Sequence, residues 1–166
     1  MSDYDLEWYK SFFGPEYLKI YAHVFGEEES YEQARFVQNI LKLKQGNELL
    51  DLCCGQGRIS IPLARNGIVV TGLDFSKDLL SIAQCEALKS GVKIKTVEAD
   101  MRDIPFDNKF DAVINIFTAL GYFESDAEDQ KVLNAVAKSL KKGFKKDFQN
   151  TNYKIQSASY NDQLGY

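Results

Sequence analysis

The alternation of apolar runs and helical segments that begins at Asn47 constrains this chain more than any other feature. "ELLDLCC" is a short apolar run, "GRISIPLARNG" reads as a helix stopped at Gly67, and "IVVTGLD" is a second strand rich in β-branched residues. Ser76 caps the next helix, in which Leu79, Leu80, Ala83 and Ala87 share a face before Gly91 ends it. "VKIKTVEAD" alternates as a third strand and "FDAVINIF" is an apolar fourth. A capping box at Ser125 and Glu128 then opens a helix with Val132, Val136, Ala137 and Leu140 inward. Short connections between such elements leave one economical solution: an α/β fold with a mostly parallel sheet and helices on both faces.

Three parts follow along the chain. Residues 1–45 form a helical N-terminal lid, dense in aromatics and broken at Gly14-Pro15 into two short helices. A third helix is expected to start at a capping box formed by Ser30 and Gln33, with Phe36, Val37, Ile40 and Leu41 on one face. Residues 46–143 hold the core. Residues 144–166 are a polar tail with one weak strand candidate, "NYKIQSASY".

The formal net charge of −4 argues against broad attraction to nucleic acid or to an anionic membrane. The five lysines of residues 141–166 are spread over a tail and read as a solvated segment. No stretch reaches the roughly 20 apolar residues of a membrane span, and the N-terminus is acidic, so a cytoplasmic location is expected. Cys53 and Cys54 are adjacent and lack the gap of a zinc or redox motif; with Cys85 they read as packing groups. With His23 the sole histidine, no metal site is expected.

The chemistry concentrates at the ends of the strands. In an open parallel sheet, ligands bind beyond the carboxyl ends of the strands, and "LDLCCGQGRISIPLA" places the first strand-to-helix turn there. Gly55 and Gly57 allow a tight turn and close approach of backbone to a ligand. Asp74 closes the second strand, where an acid can accept both hydroxyls of a ribose. Asp100 follows the third, where a carboxylate can accept the exocyclic amine of a base. Asp51, Asp74 and Asp100 thus end three successive strands, and like charges so placed destabilise the fold unless a ligand or water uses them.

These motifs, from Asp51 to Arg58 and then Asp74 and Asp100-Met101-Arg102, resemble the class I S-adenosylmethionine-dependent methyltransferases. The similarity extends from "FFGPEYLKIY" to "VLNAVAKSLKKG", most of residues 12–143. It implies a Rossmann-like fold with S-adenosylmethionine as cofactor. Asp51, Cys53 and Gly55 would line the methionine end, Cys53 standing where the family usually has glycine, with Gly57 in the same turn. Asp74 would hold the ribose, Phe75 would pack on adenine, and Asp100 with Met101 would read its edge. Arg58 begins the helix, as a ligand contact or as a brace for the turn. Asn115 would accept the methionine amine, and Tyr17 or Tyr21 would reach the carboxylate. Dinucleotide-dependent dehydrogenases share the glycine turn and the acid, but their third glycine would fall at Ser60 and the Asp-Met pair would have no role.

Phe117, Thr118 and Tyr122 are the candidates for shaping the acceptor site. The segment lacks the Asn/Asp-Pro-Pro-aromatic signature with which related enzymes hold a planar nitrogen, which disfavours nucleobases and glutamine. A small-molecule acceptor without nucleic acid or membrane is expected. Relatives continue after "SLKKG" with further strands that a polar tail cannot supply, so the sheet is expected to be C-terminally truncated, with a fourth-strand edge open to the tail or to a homodimer partner. Two alternatives follow: a noncatalytic module binding S-adenosylmethionine or S-adenosylhomocysteine, or a truncated methyltransferase acting through a protein partner. A third is a fragment that keeps the motif without a stable sheet.

Overall fold

A computed structural model of the chain describes residues 8–21, 26–116 and 119–142. Two short helices, α1 (Trp8–Phe12) and α2 (Pro15–Tyr21), flank the Gly14-Pro15 break, and α3 (Glu27–Ile40) follows. The core then runs β1 (Glu48–Leu52), α4 (Ser60–Arg65), β2 (Val69–Asp74), α5 (Lys77–Lys89), β3 (Lys95–Glu98), β4 (Ala112–Ile114) and α6 (Asp126–Ser139). Among the described residues, four parallel strands lie in the order β3-β2-β1-β4. The chain proceeds one way from β1 to β3 and then crosses to β1's other side. The switch point therefore lies between β1 and β4, the position at which open α/β sheets bind ligands.

Alternation along β1 explains the two-sided core. Leu49 packs with Ala34, Val37, Leu63 and Val70 beneath α3 and α4, whereas Leu50 and Leu52 pack with Leu73, Phe110 and Val132 beneath α6. The buried stretch of such a strand reads as a continuous apolar run, and Asp51 is the exception within Leu49–Leu52.

Ser76 caps α5 as expected, its Oγ accepting from Leu79 N. The other two caps differ. Helix α3 begins at Glu27, with Gly26 at the N-cap, because Glu27, Glu28 and Glu29 in the first turn favour the positive end of the helix dipole. Ser30 lies inside it and donates to Gly26 O. Its inward row is Ser30, Ala34 and Val37, small residues that let the helix dock closely, while Phe36 and Ile40 stand exposed. Ser125 sits at the N-cap of α6 without a side-chain cap bond, and Glu128 turns instead to Arg102, a charged partner.

The outer edge of β4 is met at its start by the chain leaving α6. Phe110 and Leu140 form a parallel bridge, and Lys141 Nζ lies 2.9 Å from Asp111 Oδ1 and 3.4 Å from Glu48 Oε2. The tail's strand candidate, with residues 143–166, lies outside the described residues, as does His23.

One close approach locks β1's turn onto β2. A Cβ added at Gly72 would lie 2.6 Å from Cys54 Sγ, so only glycine leaves that thiol its place. Gly72→Ala should destabilise the chain by about 1–3 kcal/mol in urea unfolding, with part of the loss recovered when Cys54→Ala is added.

Candidate functional site

Beyond the ends of β1 and β2 lies a cavity whose wall includes Asp51, Cys53, Gly55, Arg58, Asp74, Phe75, Asp100 and Met101, with Tyr17 and Tyr122 at the lid side. Ten residues expected at the site thus come together, from segments far apart in sequence. Gly57 lies outside the wall. At φ 82° it turns the chain, and a Cβ there would sit 3.2 Å from Ala83 Cβ of α5. Asn115 is exposed and also stands outside the wall, its Nδ2 donating to Leu52 O at 2.9 Å. Phe117, Thr118 and the side chain of Tyr21 lie outside the described residues.

The turn itself is built by backbone geometry. Gly55 has φ 54°, and a Cβ there would meet nothing within 4 Å, as befits backbone facing open space. Cys53, at φ 60°, occupies the left-handed region that favours glycine, a strain of about 1–2 kcal/mol. Its Sγ lies 3.6 Å from Met101 Sδ. Burial, then the charges of Asp74 and Asp51, push its thiol far up, and burial does the same to Cys54, so both are protonated packing groups.

Each carboxylate is held differently. Asp74 Oδ2 accepts from Gly55 N and Oδ1 from Ser76 N, both at 2.9 Å. Asp51 Oδ2 accepts from Ser60 Oγ at 2.6 Å. Asp100 takes a bidentate contact from Arg102, with Oδ1 at 3.0 Å from Nε and Oδ2 at 2.6 Å from Nη2. Burial raises Asp74 above the ordinary carboxylate range and pushes Asp51 up to about 7, the latter against the lowering effect of Ser60 and with a further push from Asp74.

Arg58 braces the turn: Nη2 donates to Gln33 Oε1 at 2.7 Å and Nη1 to Ser30 Oγ at 3.3 Å, while the side chain also reaches the wall. Burial lowers its pKa.

The lid is an aromatic cluster. Phe13 stacks on Tyr122 at 5.8 Å and 23°, and Tyr9 meets both Phe75 and Phe123 edge to face. Sequence reading marked this segment as aromatic but did not single out Tyr9, Phe13 or Phe123. It named Arg102 in the motif but gave it no role; its guanidinium lies 4.3 Å from the Phe123 ring centre and 2.7 Å from Glu128 Oε2. The signal was present in an arginine two residues after Asp100.

The sequence pattern of the methyltransferase domain matches residues 49–143. The chain belongs to this family. It is 39% identical over 100 residues to "Putative methyltransferase YqeM" of Bacillus subtilis, covering 60% of this chain and 40% of that protein. It is 30% identical over 112 residues to the ubiquinone biosynthesis O-methyltransferase of Vibrio vulnificus, covering 68% and 47%. The chain therefore spans less than half the length of these relatives. The structure superposes on magnesium protoporphyrin IX methyltransferase of Synechocystis PCC 6803 with bound SAM at a TM-score of 0.65, with 21% identity, 84% of this chain and 73% of that one. The fold is the Rossmann-like fold of class I methyltransferases. Among the described residues, no helix is long and apolar enough to cross a membrane, and no group of three His, Cys, Asp or Glu side chains is placed to hold a metal ion.

The raised pKa of Asp51 has a sign for stability. Because the unfolded group ionises near 3.8 and the folded one near 7, the folded state binds the extra proton between these values, and stability falls as pH rises through that window. Urea unfolding should show Asp51→Asn gaining on the parent chain from about pH 4 to about pH 7, by on the order of a few kcal/mol.

Proposed function

We propose that the chain binds S-adenosylmethionine in this cavity and transfers its methyl group to a small molecule. The convergence of three strand-end carboxylates on one cavity under an aromatic lid carries the reading. The wall sets Asp51, Asp74 and Asp100 against Arg58, with Arg102 paired to Asp100, so it offers carboxylate acceptors to a nucleoside and, among the described residues, no cluster of cations to the pyrophosphate of a dinucleotide.

S-adenosylmethionine supplies a methyl group on a positively charged sulfur, already activated for in-line displacement. The residues of the chain have to hold and align. Asp74 retains acceptor capacity on each oxygen after its two backbone bonds and would take the ribose hydroxyls. Asp100 and Met101 would meet the adenine edge, with Phe75 against its face. Asp51, Cys53 and Gly55 would line the methionine end, with Tyr17 and Arg58 toward the carboxylate. The aromatic lid would exclude water, and alignment alone can be worth an effective molarity of about 10⁵ M or more. Tyr122, stacked on Phe13 in the wall, would shape the acceptor site.

An enclosed, aromatic site suits a small apolar acceptor. The names of the Vibrio and Synechocystis proteins, in which ubiquinone biosynthesis and magnesium protoporphyrin IX appear, concern organic molecules and not nucleic acid.

Calorimetric titration with S-adenosylmethionine and S-adenosylhomocysteine, with NAD as control, tests the reading. Both nucleosides should bind and NAD should not. Asp74→Asn should weaken them roughly 10-fold to 100-fold, the equivalent of a charged hydrogen bond, with its thermal transition measured in parallel. A cooperatively folded chain that binds neither nucleoside would refute the reading.

A further inference from the structure

Asp51 is the group in the wall whose setting the ligand contacts leave unexplained. It is 3% exposed and sits in a strand buried on both faces, paired in register with Gly72. Its Oδ2 accepts from Ser60; its Oδ1 accepts no hydrogen bond among the described residues. Since no sealed side-chain oxygen or nitrogen there lacks a partner, Oδ1 faces the open space of the cavity that Asp51 lines.

The groups around it leave its charge under-compensated. Asp74, from β2, opposes its ionisation, and Arg58, from the turn, favours it. Arg58 is also tied to Ser30 and Gln33 of α3 and shares its charge with Glu29 of α3 and Tyr17 of α2. Asp100, beyond β3, is matched by Arg102. Cys53 and Cys54 flank it as neutral thiols. Ser60 of α4 contributes a hydroxyl and no charge.

We propose that Asp51 carries a proton until a cationic ligand enters the cavity beside it, and then releases that proton to solvent. The inference rests on the S-adenosylmethionine reading and adds to it a coupling between ligand charge and pH. Burial of the carboxyl holds the proton near neutrality. A positive charge within about 4–6 Å lowers a carboxyl pKa by roughly 1–3 units, so the ligand and the proton compete. Affinity for the cation therefore rises with pH until Asp51 is ionised without it.

The test is calorimetry on the full chain between about pH 5.5 and pH 7.0, below the titration of the ligand's own α-amine near 7.7–8.0. S-adenosylmethionine should tighten about tenfold across this range, and buffers of different ionisation enthalpy should report release of roughly half a proton or more at the middle of it. Adenosine, which lacks the cationic end, should change less than about twofold. Asp51→Asn should bind S-adenosylmethionine without the pH dependence. Ser60→Ala should move the midpoint upward, because the lost hydrogen bond favoured the ionised form. Histidine as a residue type changes charge near this range, and His23→Gln should leave the profile unchanged.

Equal S-adenosylmethionine affinity across the range with no proton release overturns the inference and leaves the methyltransferase reading standing. A profile abolished by His23→Gln does the same. Failure of both S-adenosylmethionine and adenosine to bind the folded chain overturns both. Should Asp51→Asn not fold, the parent chain's buffer series and Ser60→Ala decide the matter.

Discussion

Asp74 ties the top of the sheet together. Its carboxylate accepts from Gly55 N in the turn after β1 and from Ser76 N at the start of α5, and its carbonyl accepts from Ala99 N just past β3. Three loops that come from three strands are thus fixed to one residue. A carboxylate that is 5% exposed tolerates burial because two backbone donors meet it. The positions of Asp51, Cys53 and Gly55 relative to Asp100 follow from that knot, and so does the cavity between them.

Much of this was legible in the residues. The period-two and period-3.6 segments gave the strand and helix order, and the acids at strand ends gave the site's floor. What escaped was set by tertiary contact. Of the expected face of Phe36, Val37, Ile40 and Leu41, Val37 alone docked, in a row with the small Ser30 and Ala34, since close packing on α4 favours small residues. Ser125 and Glu128 have the spacing of a capping box, yet Arg102 offered Glu128 a charged partner. Gly72 passed unremarked inside "IVVTGLD", although a glycine within a strand signals a close approach. The aromatic lid was evident in composition, while the pairing of Phe13 with Tyr122 brings together residues more than a hundred positions apart and required the fold.

Arg102 joins the two halves of the site. It grips Asp100, pairs with Glu128 of α6 and covers Phe123, which in turn meets Tyr9 of α1. The floor that would read a nucleobase and the lid that would seal the cavity are therefore in continuous contact. A methyl transfer site needs both alignment and dryness, and on the proposed reading one guanidinium connects the residues that would supply each.

The three cysteines have a practical consequence of their own. Alkylation requires the thiolate, and burial keeps Cys53 and Cys54 protonated behind the turn, whereas Cys85 stands exposed on α5. A maleimide dye would therefore mark the native chain at one position, away from the cavity wall, without any engineered substitution. The molecule carries its own attachment point for fluorescence work on ligand entry.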